Sequence, residues 1–172
     1  MSEGFRIIPV SPEHLEQLSH YLNCLNQESR DRFGPHRYDL DALNHIYIEQ
    51  QDHLGYLAFI DRDVIGYTVV KLGYLEHDQP RLSQYGLQLN NKTDCTIAPS
   101  VADAWQGQGI GRKLMDFVID DLKSQGFKRM ILWGGVQASN QRALAMYTHL
   151  GFETIGEFEY YGMNFDMIHR IA

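Results

Sequence analysis

Residues 106–111 read Gln106-Gly107-Gln108-Gly109-Ile110-Gly111, and Arg112 and Lys113 follow at once. Three alternating glycines let the oxygens of an anion approach the backbone with no Cβ in the way. A helical pattern begins at about Gly109, so the N–H groups of its first turn lack intrahelical partners and carry the positive end of the dipole. The chemistry implied is capture of a phosphate or pyrophosphate, with Arg112 and Lys113 adding charge at the rim. A merely flexible turn is the alternative, and three alternating glycines speak against it. Two nucleotide patterns fail on register. A GxxxxGK[ST] loop needs Lys-Ser or Lys-Thr after a glycine, and none follows here. A GxGxxG fingerprint started at Gly107 meets Arg112 where it needs glycine, and one started at Gly109 meets Leu114.

A second segment about thirty residues on carries Asn140, Ala143, Tyr147, Gly151 and Phe152. Read alone, Asn140 suits a helix N-cap and Tyr147 suits core packing. Read together, the spacings Gln106…Gly109…Gly111 and Asn140…Ala143…Tyr147…Gly151-Phe152 resemble two motifs of the GNAT superfamily of N-acetyltransferases, in the family's order and separation. The resemblance covers nearly the whole chain and implies acetyl-CoA as cofactor, with coenzyme A as product. It implies that backbone N–H groups of Gly107, Gly109, Gly111 and Arg112 bind the pyrophosphate, in a turn that Gln106 and Ile110 complete. The strand ending near Val101 would splay from residues 131–133 and receive the pantetheine arm. A backbone N–H at Val101 would face the charge developing on the thioester oxygen. Asn140 would hydrogen-bond the cofactor arm, and Tyr147 would protonate the departing thiolate. An amine would attack the thioester directly, in a ternary complex, so Cys24 and Cys95 need no nucleophilic role.

The chain departs from the family at the base. Many members carry a glutamate ten residues ahead of the motif's first position, where this chain has Thr96. Asp94 shares that strand face by period-two geometry and is the candidate base, ahead of Glu157 and Glu159. The missing glutamate keeps open a non-catalytic acyl-CoA-binding or sensor module of the same fold. Residues 27–33 and 103–109 also look like segments of bacterial protein-lysine acetyltransferase domains. The resemblance therefore implies a primary amine as acceptor, either a small molecule or a protein lysine.

The elements that would position these residues are legible in outline. Residues 5–10 read as a strand, with Pro9 at an edge or end. Ser11-Pro12 starts a helix whose Leu15, Leu18, Leu22 and Leu25 form one stripe until Gly34-Pro35. Asp39 caps a second helix. Residues 54–60 and 64–75 form a hairpin through Asp61-Arg62-Asp63. Residues 76–92 are polar and turn-rich, a long connection expected over the substrate side. A strand at 93–101 precedes the glycine turn. The helix from about Gly109 to Ser124 should face Leu114, Phe117, Val118 and Leu122 inward. A buried strand at 129–133, a helix around Ala143–Leu150 and a hairpin turning at Tyr161-Gly162 complete the chain. The expectation is a single α/β (α+β type) domain over 1–172, with about seven mostly antiparallel strands and about four helices on both faces.

Composition narrows the partners. The 172 residues carry a formal net charge of −7, which disfavours nucleic acid and favours a cationic amine. Within 106–142, six basic residues stand against three acidic ones, a local excess that suits a small polyanion. No apolar run spans a bilayer, and the start Met1-Ser2-Glu3-Gly4-Phe5-Arg6 lacks a secretory pattern, so a cytoplasmic monomer or homodimer with two free thiols is expected. The eight histidines form no metal-binding spacing, so no metal is expected.

Overall fold

The computed structural model describes residues 4–171; Met1, Ser2 and Glu3, part of the stretch read for a leader, and Ala172 lie outside the described residues. In chain order the elements are β1 (Phe5–Pro9), α1 (Leu15–Asn23), α2 (Gln27–Arg32), α3 (Leu40–Asn44), β2 (His53–Ile60), β3 (Asp63–Leu72) and α4 (Gln79–Ser83). They continue with β4 (Asp94–Val101), α5 (Ile110–Ser124), β5 (Arg129–Leu132), β6 (Val136–Gln137), α6 (Gln141–His149), β7 (Glu153–Glu159) and β8 (Met163–Arg170). Among the described residues there are thus eight strands and six α-helices, more than the expected seven and four. The additions are short pieces, such as the two-residue β6 and the five-residue α4, which carry no periodic signal. The pair β4–β5 is parallel, while β1–β2, β5–β8, β6–β8 and β7–β8 are antiparallel.

The chain forms two compact units: residues up to Val70 with Ala98–Val118, and Lys71–Ile97 with residues from Ile119 onward. In the first unit the strand order is β1-β2-β3-β4. Phe5 stands opposite Ile60 and Pro9 opposite Tyr56. The hairpin between β2 and β3 turns at Asp61, whose φ is 52°. Leu15, Leu18 and Leu22 are buried as their spacing requires. The helix they belong to stops at Asn23, however, well before Gly34-Pro35. Asn26 is the reason: its backbone is extended and its side chain caps the Ser29 N–H at 2.9 Å, starting α2. Asp39 caps α3 through the Ala42 N–H, as expected, and α3 widens into a π-helical turn over His45–Gln50.

α5 buries Ile110, Leu114, Met115, Val118 and Leu122. Phe117, expected inside, is 39 % exposed and instead meets Tyr56 edge-on, with centroids 6.1 Å apart. Met115 takes the inward position because 114, 115, 118 and 122 share one helical stripe and 117 flanks it.

In the second unit the order is β4-β5-β8-β6, with β7 also on β8. Asp94 to Ile97 pair in parallel with Arg129 to Leu132, and the register stops there. Segment 76–92, expected as a polar connection, holds α4 and is fastened to the β7–β8 hairpin. Arg81 makes paired bonds of 2.8 and 3.0 Å to the buried Asp166 carboxylate and lies 3.9 Å from the Phe158 ring centroid. Tyr85 donates to the same carboxylate at 2.7 Å. A Cβ at Gly156 would lie 2.1 Å from the Tyr85 ring, so that contact requires glycine. Leu82, Ile131 and Ile168 form the core beneath.

Candidate cofactor turn and acid residue

The glycine turn lies in the first unit. Gly107 and Gly109 adopt φ of +75° and +82°, left-handed conformations that glycine accepts freely. Beside Gly109 a Cβ would meet nothing within 4 Å, so the space over the turn is open. α5 begins at Ile110 and runs 15 residues, with no acidic residue in its first turn. Gly111 is half-buried there, and Arg112 and Lys113 are exposed. Helices ordinarily favour carboxylates at this end, because the dipole is positive there. Two cations and no acid reverse that preference, an arrangement suited to an incoming anion.

Gln106 does not extend toward the open turn. Its side-chain Nε2 donates toward the Val101 carbonyl and the Ser29 hydroxyl at 3.1 Å each, with Asp103 Oδ1 at 3.4 Å. The Ser29 hydroxyl donates to Asp103 Oδ1 at 2.6 Å, and the Asn26 N–H donates to Asp103 Oδ2 at 2.8 Å. Residues 27–33 and 103–109, noted together in the sequence, are thus joined in the first unit. Val101 closes β4, where the Ala102 N–H binds the Ile65 carbonyl at 2.8 Å. Ser100 beside it donates to the Tyr67 carbonyl at 3.2 Å and pairs with the Tyr21 hydroxyl at 3.0 Å.

The same unit holds a polar file that no motif announced. His36 Nδ1 donates to the Arg37 carbonyl at 2.7 Å, which leaves Nε2 to accept from the Tyr67 hydroxyl at 2.9 Å. Tyr67 in turn accepts from Tyr47. Burial pushes the His36 pKa down, the Arg37 carbonyl partly opposes this, and the nearby His53 adds to it. The signal available beforehand was only that Gly34-Pro35 turns the chain near a histidine.

Tyr147 lies on α6, in the second unit. It is buried against Phe152, with centroids 5.2 Å apart, and burial raises its pKa, so the phenol keeps its proton through neutral pH. Asn140 caps α6, its Oδ1 accepting from the Ala143 N–H at 3.4 Å, so the capping role foreseen for it is realised.

Asp94 is buried, and its carboxylate is committed. Arg129 donates to it through two bonds of 2.9 and 2.7 Å, and the Asn90 N–H adds a third at 2.8 Å. A base must take up a proton, and protonating Asp94 would break an ion pair inside the fold. The candidate base is thus an ion-paired carboxylate, and the arginine that claims it lies 35 positions away. Thr96 is buried too, its hydroxyl bound to the Gly73 carbonyl at 2.9 Å. Glu157 and Glu159 are exposed on β7. Cys95 is buried with its pKa pushed up to about 12, whereas Cys24 is exposed; both are free thiols. Among the described residues no cluster of His, Cys, Asp or Glu could hold a metal, and no helix is long and apolar enough to cross a membrane.

Comparison with known proteins bears on the fold and the family. The solved acetyltransferase of the GNAT family from Streptococcus pneumoniae superposes with a TM-score of 0.75 at 18 % identity, covering 98 % of this chain and 99 % of that one. A structure of AAC(6')-Ib in complex with parmomycin and acetyl-CoA gives 0.70 at 20 % identity, covering 98 % and 94 %. These likenesses establish the fold. In sequence, the ribosomal protein bS18-alanine N-acetyltransferase of Escherichia coli K12 is 46 % identical over 48 residues, 28 % of this chain and 31 % of that protein. The chain thus matches less than a third of the length of such curated relatives. Residues 18–152 match the acetyltransferase (GNAT) family, and the chain belongs to it.

Proposed function

We propose that residues 1–172 act as one acetyl-CoA-dependent N-acetyltransferase domain that moves an acetyl group directly to a primary amine. The observation that carries this is the start of α5, where two glycines with positive φ, open space and two exposed cations precede and begin a 15-residue helix. Backbone N–H groups of Gly107, Gly109, Gly111 and Arg112 would hold the cofactor's pyrophosphate, with Ile110 closing the turn. The exposed Arg112 would add charge, and the backbone of residues 98–101 would take the cofactor arm. The Asn140 Nδ2 donors, not used in capping, would bind that arm as well. The bound group supplies an electrophilic thioester carbonyl.

The protein's own work is orientation and proton handling. A fixed N–H at Val101 would stabilise the developing oxyanion. Tyr147, a buried phenol, would give its proton to the leaving sulfur. The amine would lose its proton to solvent, because Thr96 is no base and Asp94 is ion-paired. The net charge of −7 favours approach of a cationic amine, and the curated relative that acetylates a ribosomal protein alanine is consistent with a protein or small-molecule acceptor.

Acetyl-CoA turnover across a panel of lysine peptides, polyamines, amino acids and aminoglycosides, followed by thiol release, tests the proposal. Amine-dependent thiol release matched by acetylated product is expected. Saturable acetyl-CoA binding with no turnover of any amine would instead favour a sensor module, the reading to which Thr96 and the paired Asp94 lend support.

A further inference from the structure

We propose that Gln106 is a positioning residue, not a phosphate ligand: its amide fixes the peptide that aims the Val101 N–H. This rests on the acetyltransferase reading above. Three acceptors surround Nε2, namely the Val101 carbonyl at 3.1 Å, the Ser29 hydroxyl at 3.1 Å and Asp103 Oδ1 at 3.4 Å. Such surroundings suit a donor and define which end of the amide faces inward.

The peptide between Val101 and Ala102 is consequently pinned at both poles. Its oxygen accepts from Gln106, and its N–H donates to Ile65 at 2.8 Å. With that plane held, the carbonyl side of Val101 is restrained, which narrows the swing open to the preceding peptide and its N–H. Ser29 links the clasp to α2, since its hydroxyl accepts from Gln106 and donates to Asp103 at 2.6 Å. Asp103 is held in turn by the Asn26 N–H at 2.8 Å. The first residue of the glycine motif thus acts backward on the strand end, while the glycines after it face the anion. A donor misplaced by a fraction of an ångström weakens stabilisation of the transition state more than binding of the ground state.

The test compares Gln106→Ala, Ser29→Ala and the double variant in three measurements: coenzyme A affinity by calorimetry, kcat with the best amine of the panel, and urea unfolding. Gln106→Ala should lower kcat by roughly tenfold or more with the coenzyme A Kd unchanged within about twofold. Ser29→Ala should reproduce part of that loss, and the double variant should be no slower than Gln106→Ala alone. A Kd weakened about tenfold with kcat intact would make Gln106 a phosphate ligand and overturn the proposal. If the wild type turns over no amine, the acetyltransferase reading fails while this one is still decided by unfolding. The Ser29→Ala and Gln106→Ala effects on the unfolding constant should then fall short of multiplying in the double variant. Simple multiplication would overturn the clasp.

Discussion

Two arginines of the second unit and two cations at the start of α5 in the first are used in opposite ways. In the second, Arg129 is locked onto buried Asp94 and Arg81 onto buried Asp166, each through paired bonds of 3.0 Å or less. In the first, Arg112 and Lys113 stand exposed at the start of α5, and among the described residues neither has a carboxylate partner. A buried charge must be neutralised within the fold, so the first kind of cation serves stability. A cation left open at a helix N-terminus gains nothing from the dipole and makes the end of the helix less favourable, unless an anion arrives. The proposed anion site rests on this difference.

The largest effect expected from breaking this contrast is in the second unit. Asp94→Ala strands the Arg129 guanidinium and should destabilise the protein by about 3–5 kcal/mol, whereas Arg112→Ala should stay within about 0.5 kcal/mol of wild type. Urea titrations of the two variants check both halves. A mild Asp94→Ala phenotype would mean that the pair contributes little to stability, reopening Asp94 as a chemical group.

Next in size is Tyr147→Phe, for which kcat should fall about a hundredfold, roughly 2.7 kcal/mol of barrier, with acetyl-CoA affinity unchanged. Full activity in that variant would remove Tyr147 as the acid and leave its ring a packing partner of Phe152. Arg112→Ala should weaken acetyl-CoA binding only about two- to fivefold, and less as salt rises, because its charge is exposed and screened. Affinity measured at low and high ionic strength tests this. The smallest effect is a slope. The folded pKa of His36 is lowered relative to the unfolded value near 6.5, so its contribution to stability is complete above about pH 6.5. That contribution is lost as pH falls through the folded pKa, since protonation favours the unfolded chain. Urea midpoints at pH 7.5 and 5.5 should therefore differ less in His36→Gln than in the wild type, and equal differences would exclude the polar file as the source.

Local patterns predicted the local structure well. The glycine turn, the α5 stripe, the Asn140 cap and the turns at Asp61 and at Tyr161-Gly162 are all encoded by neighbours a few positions apart. What stayed hidden depends on partners far along the chain. Arg81 and Tyr85 reach Asp166 across more than eighty positions, so segment 76–92 looked like an open polar connection. The Arg129 partner of Asp94, 35 positions away, was hidden for the same reason. The clasp of Gln106 on Ser29 spans 77 positions, and a motif that fixes residue identity does not say which way a side chain turns. Phe117 was misplaced through a neighbouring stripe position, an error of about one helical step.

Calorimetric titration of acetyl-CoA into wild type and Gly109→Glu tests whether the turn at residues 106–111 is the cofactor's anion site. Gly109 has φ of +82° with open space beside it, so the variant adds a carboxylate and backbone strain where the anion should sit; circular dichroism establishes that it is folded. Saturable binding by the wild type with a loss of about a hundredfold or more in the variant is predicted. Equal acetyl-CoA affinity in a folded Gly109→Glu protein would place the pyrophosphate elsewhere.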